Sequence, residues 1–149
     1  MIVDVLTRVS SAQAFTGSDE VSTSSYDLGN VTPKRDVGSG EPLAMFIAIT
    51  TLAADGGSGT FAFRILNDTD PALATSVTIV ATTQTFAAAA LPAGTLIEMM
   101  VPSGQITKRY LGAQAVLGGT TPTVSATIWF APRSFGQFYK SYAAGYIIE

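Results

Sequence analysis

Two runs of apolar alternation, joined by Gly118-Gly119-Thr120-Thr121-Pro122, constrain this chain more than anything else in it. Between Lys108 and Ala131, Leu111, Ala113, Ala115 and Leu117 share one side of the first run. In the second run Val124, Ala126, Ile128 and Phe130 share one side, and Thr123, Ser125, Thr127 and Trp129 the other. A spacing of two is the side-chain period of a strand, and two such runs around a Gly/Pro connection predict an antiparallel hairpin with one buried face. A two-stranded ribbon cannot keep that face from water, so the rest of the chain must supply an opposing sheet.

The remaining segments read as that sheet. Leu43–Leu52 is the most apolar run, with Leu43, Met45, Ile47 and Ile49 on one face and Phe46 on the other, so cover is expected on both sides. Asp55-Gly56, within the turn Ala53–Gly59, carries hairpin chemistry. Thr60–Leu66 then alternates, with Phe61, Phe63 and Ile65 inward and Ala62 and Arg64 outward. Ser76–Thr82 places Val77, Ile79 and Ala81 on one face, and Thr95–Pro102 places Ile97, Met99 and Val101 toward the core. Val21–Leu28 is a weaker strand, and Gln84–Ala90 is a short strand or one helical turn. Met1–Phe15 reads as an edge strand of its own domain or as an arm on a neighbour. The total is about eight evenly spaced strands and no long amphipathic helix, which predicts an all-β antiparallel sandwich or barrel. Eight strands in two sheets is the strand number of a jelly roll; strand order is not written in such a pattern.

Apolar residues make up 47% of the 149, against 13% charged, so a packed core is expected. One sandwich domain is expected over 1–149, with residues 1–15 as strand or arm, 16–131 as the sandwich and 132–149 as a tail. That tail concentrates Phe135, Phe138, Tyr139, Tyr142 and Tyr146 at spacings of three and four. These aromatics either cap their own sandwich or bury against another chain.

Chemistry is scarce. The chain has no histidine and no cysteine, which removes the commonest general base, the commonest metal ligand and every thiol nucleophile. Asp68-Thr69-Asp70 is ordinary turn chemistry before it is a calcium site, which would want six or more oxygens. Asp19-Glu20 and the Asp36/Glu41 pair read as solvated loops, since nothing sets two carboxylates across a sugar. No helix with a Lys-Ser/Thr start follows Gly38-Ser39-Gly40 or Gly56-Gly57-Ser58-Gly59, so neither is a phosphate loop. Glu98 interrupts an apolar run and faces solvent or a neighbour. Trp129, on the side away from the inferred core, is either an interface anchor or a surface or second-face packer. The expectation is a protein that is not an enzyme and needs no cofactor.

With a net charge of −3, and with Lys34-Arg35 and Lys108-Arg109 as the basic pairs, direct nucleic-acid binding is not expected. No run approaches the length of a membrane span, and the first residues lack a basic-then-apolar leader, so synthesis in the cytosol is expected.

Three stretches carry a family likeness. Asp27-Leu28-Gly29 leads to Arg35-Asp36-Val37-Gly38-Ser39-Gly40-Glu41-Pro42-Leu43; Gly104 leads through Lys108-Arg109-Tyr110-Leu111; and the end is rich in Tyr and Gly. Together with Ile2–Ala14 these resemble the capsid cement (decoration) proteins of short-tailed bacteriophages, of the Bordetella podophage type. The resemblance implies a jelly-roll sandwich that pairs with copies of itself, as homodimer or homotrimer. It also implies assembly in the host cytoplasm onto the outer surface of the virion, where the protein would bridge major capsid protein subunits. The expected contacts are the N-terminal arm (Ile2, Val5, Leu6), the loop carrying Lys34, Arg35, Asp36 and Glu41, Trp129, and the tail with Phe135, Phe138, Tyr139, Tyr142 and Tyr146. The competing reading is a carbohydrate- or receptor-binding sandwich of a virion, with Trp129, Tyr139 and Tyr142 as an aromatic platform.

Overall fold

The computed structural model describes residues 6–29, 41–55 and 58–134. Ten strands run through them: β1 (Arg8–Phe15), β2 (Asp19–Val21), β3 (Tyr26–Asp27), β4 (Leu43–Ala54), β5 (Thr60–Asp68), β6 (Thr78–Thr82), β7 (Phe86–Ala87), β8 (Leu96–Met100), β9 (Tyr110–Gly118) and β10 (Thr123–Pro132). A 3₁₀ turn at Ala88–Ala90 follows β7, so the Gln84–Ala90 segment holds both a short strand and a turn.

The strands form two antiparallel sheets. One has the order β1-β10-β4-β8; the other has β2-β9-β5-β6, with β3 also on β9 and β7 also on β5. The pairs β1·β10, β2·β9, β4·β8 and β5·β6 are nested one inside the next, like one long hairpin. The contacts β10·β4 and β9·β5 then roll it into a sandwich. That winding is a jelly roll, two Greek keys in two sheets.

The predicted hairpin is therefore not one. β9 and β10 alternate as expected, and both inward sets are buried, but the two strands lie in different sheets and face each other across the core. The same correction applies to β4 and β5 around Asp55-Gly56. Alternation states which side chains share a face and is silent on which backbone lies alongside. The two crossovers instead pack on one another. Gly119 sits at φ +118, and a β-carbon there would lie 2.9 Å from Gly59 Cα. Asp55 Oδ2 accepts the Gly59 N–H at 2.6 Å, tightening the first crossover.

The core between the sheets collects Met45, Ile47, Ile49, Phe61, Phe63, Ile65, Ile128 and Phe130, as the alternation predicts, together with Phe15 of β1, which no alternation marked. Sheet β1-β10-β4-β8 has a second apolar side. Ala44, Phe46, Ala48 and Trp129 point away from the main core yet are buried, with Leu96 and Ala131 packed on them. The two-sided cover expected of Leu43–Leu52 is thus present. The single face expected of Ser76–Thr82 divides: Val77, just before β6, and Ile79 are 44% and 51% exposed, whereas Ala81 packs on the core together with Val80. A register shift between Ile65 and Leu66 pairs Leu66 with Ile79 and re-aims the strand. The edge strand β1 is bulged between Ser10 and Gln13, with Ala12 at φ 47 and its N–H on Thr127 Oγ1, which blunts that edge against unwanted pairing.

Gly112 on β9 has a packing reason. A β-carbon there would stand 2.1 Å from Leu73 Cδ1, and Leu73 is nearly fully buried over it. Gly112→Ala should cost about 1–2 kcal/mol through this overlap. Urea unfolding checks it, and Gly112→Ala combined with Leu73→Ala should recover part of the overlap term.

Candidate interaction surface

Strand register places the ends of several segments together. Arg8 lies opposite Trp129, Leu43 opposite Pro132, Ala44 opposite Met100, and Asp27 and Asp68 both opposite Tyr110. The start of β1, the end of β3, the start of β4 and the end of β10 therefore lie at one end of the sandwich. Local bonds tie them. Phe130 N–H donates to Thr7 O, Arg133 N–H to Pro42 O and Ser134 N–H to Glu41 Oε1. Arg133 Nε donates to Glu98 Oε1 at 2.8 Å, so Glu98 is held by an ion pair across the outer face of its sheet.

Two of the stretches that carried the family likeness meet at this end. Arg109 Nε and Nη2 donate to the two Asp27 carboxylate oxygens at 2.8 and 2.7 Å, and the guanidinium lies 5.0 Å over the Tyr110 ring. Leu28 N–H donates to Arg109 O, and Gly29 N–H to Asp27 Oδ1. Leu28 and Leu111 are core residues. The pair is about 40% exposed on each side, so solvent screens it and it acts mainly to orient the segments.

Asn67 and Asp68 organise the same end from within. The fully buried Asn67 amide donates to Lys108 O and Tyr110 O at 3.0 and 2.9 Å and accepts from the N–H groups of Thr107 and Lys108 at 3.0 and 2.8 Å. Asp68 Oδ1 accepts from the N–H groups of Thr69, Asp70 and Ser76 and from the Ser76 hydroxyl; Oδ2 accepts from Thr75 N–H. Lys108 Nζ donates to Ser76 O and Thr78 Oγ1. The Asp68-Thr69-Asp70 stretch is thus a turn whose first carboxylate is consumed by its own loop. No group of three or more His, Cys, Asp or Glu is placed to hold a metal among the described residues.

Burial by itself would raise the Asp68 carboxyl, but the Ser76 hydroxyl and the N–H groups of Asp70, Ser76 and Thr69 outweigh it and bring the pKa from 3.8 to about 2. The folded-state value lies below the unfolded one. Its contribution is therefore fully present above about pH 4 and is lost as pH falls toward 2. Urea midpoints between pH 5 and pH 2 should fall more steeply for the wild type than for Asp68→Asn.

The sequence-predicted contact residues divide three ways. Leu6 is 78% exposed just before β1, and Glu41 is exposed and bonded to Ser134. Ile2, Val5, Lys34, Arg35, Asp36, Phe135, Phe138, Tyr139, Tyr142 and Tyr146 lie outside the described residues. Trp129 requires a correction. It does point away from the main core, but it is 1% exposed and stacks on Phe46 at 5.6 Å between ring centroids, so it is no exposed anchor and cannot serve a glycan platform. Its sheet is apolar on both faces, and the indole fills the second one.

The sequence reading missed Arg8, and the omission has a simple cause: one Arg among Val and Ser carries no pattern. It is partly buried and lines a hollow of about 150 Å³ with Val9, Ser10, Ser11, Thr23 and Ser24.

An antiparallel sandwich with this strand order defines a class by its fold, the all-β jelly roll. Within it the family can be stated. A family model named Bbp16 matches residues 9–128, and the chain belongs to that family, whose name points to a protein of a Bordetella phage. No curated protein matches the chain.

Proposed function

We propose that this protein is a capsid cement protein: it pairs with its own copies on the outer surface of a phage head, bridges major capsid protein subunits, and performs no bond-making chemistry. The observation that carries this is the shared end of the sandwich. The stubs of all three expected contact segments (Leu6-Thr7, Gly29 and Glu41-Pro42, Arg133-Ser134) leave from it, with Glu41-Pro42 hydrogen-bonded to Arg133-Ser134, Thr7 to Phe130 on β10, and Gly29 to Asp27 on β3. A scaffold that launches several segments from one rigid end suits a bridging task, because the fold fixes their relative positions before any partner arrives. Membership of a phage protein family supports the setting.

The energetic logic is repetition. A contact burying about 800 Å² per partner is of standard size, and a shell repeats it many times over, so opening the shell requires breaking many contacts together. Heads stripped of this protein and mixed with the purified chain should rebind it and should withstand a higher temperature before releasing their DNA. Heads that neither bind it nor gain stability would refute the role.

A further inference from the structure

We infer that the hollow beside Arg8 is a socket for a carboxylate, supplied by an acidic side chain of the neighbouring shell subunit. This rests on the cement reading and adds to it the chemistry of one contact.

Five Lys and Arg side chains fall within the described residues, and four of them are satisfied inside the fold. Arg64 meets Gln114 and Asp19, Lys108 meets Ser76 and Thr78, Arg109 meets Asp27, and Arg133 meets Glu98. Arg8 is the fifth. Among the described residues its guanidinium has neither an ion pair nor a hydrogen bond, although the residue is partly buried. A guanidinium is always charged, and one without a polar partner in its own fold remains available to an anion from outside it.

The lining is matched to an anion. Ser10 Oγ is committed to Gln13 Oε1 and Ala126 O, and Thr23 Oγ1 reaches Val9 O. The hydroxyls of Ser11 and Ser24, also in the wall, have no partner among the described residues. The guanidinium, a planar fork of N–H donors, and two solvent-exposed, unassigned hydroxyls line the same hollow, and all are donors that a carboxylate can accept from. The hollow sits at the same end of the sandwich as the exposed Leu6, which would supply apolar contact around the charge. The protein as a whole carries −3, so this local positive charge is set against the sign of the molecule and selects an acidic patch on its partner.

The test compares wild type, Arg8→Glu, Arg8→Lys and Ser11→Ala for binding to heads stripped of this protein. Thermal unfolding of each purified chain is measured alongside. Arg8→Glu should weaken binding by tenfold or more and Arg8→Lys by less, with the salt dependence of binding reduced in Arg8→Glu. Unfolding temperatures should be unchanged, because Arg8 has no polar partner among the described residues. Wild-type affinity in Arg8→Glu would overturn the socket while leaving the cement role standing. A lowered unfolding temperature that tracks the loss of binding would assign Arg8 to folding and overturn it as well. A wild-type chain that fails to bind the heads would remove the cement reading itself.

Discussion

Trp129→Ala is expected to lower the unfolding free energy by about 3–5 kcal/mol, a large fraction of what holds a domain of this size together. The indole is 1% exposed and stacks on Phe46, and the cluster it completes includes Ala44 and Ala48. The alanines beside the two rings are too small to fill a vacated site, so the cavity term should be close to its full size. Trp129→Phe should recover roughly half of the loss, because a smaller ring can still stack. Urea unfolding of the three proteins checks both statements. A loss below about 1 kcal/mol in Trp129→Ala would mean that the outer face of this sheet is wet, and a glycan platform would return to consideration.

The second large effect is expected at Asn67. Asn67→Ala should cost about 4 kcal/mol, because it leaves two N–H groups and two carbonyls of the 107–110 segment without their partner in a buried site. Asn67→Asp discriminates the mechanism from simple volume loss. The side chain keeps its shape, but it can no longer donate to Lys108 O and Tyr110 O, and it sets a negative charge against two carbonyl oxygens. It should therefore be at least as damaging as alanine, and more so at pH 7 than at pH 4. Equal stability of Asn67→Asp and wild type would contradict the hydrogen-bond account.

Both residues show what a sequence carries and what it withholds. Period-two alternation identified the inward faces of β5, β9 and β10, because burial of a sheet face is imposed residue by residue. Pairing is a property of two segments at once. The connections Asp55–Gly59 and Gly118–Pro122 have the composition of hairpin turns, yet both cross the sandwich. Their glycines serve a close backbone approach, Gly119 against Gly59, rather than a tight reversal. Trp129 was legible as lying opposite the main core, but the sequence left exposed anchor and second-face packer both open, since the choice depends on a second layer of packing. The partial signal was Phe46, an aromatic on the same outward side of the neighbouring strand. Asn67 read as the first residue of a polar loop, because Asn before Asp-Thr-Asp is common turn composition. What sets it apart is the 107–110 segment brought against it from some forty positions away. The joining of Asp27-Leu28-Gly29 to Lys108-Arg109-Tyr110-Leu111 is likewise visible only once β3 is paired with β9.

The role proposed for this jelly roll is that of a clamp on the outside of a phage head. A three-dimensional reconstruction of purified heads tests it most directly. The claim predicts density for the sandwich on the outer shell surface, with the end carrying Leu6, Glu41 and Ser134 turned toward shell subunits or a second copy. Heads with no such density, or the chain found in a fibre away from the shell, would contradict it.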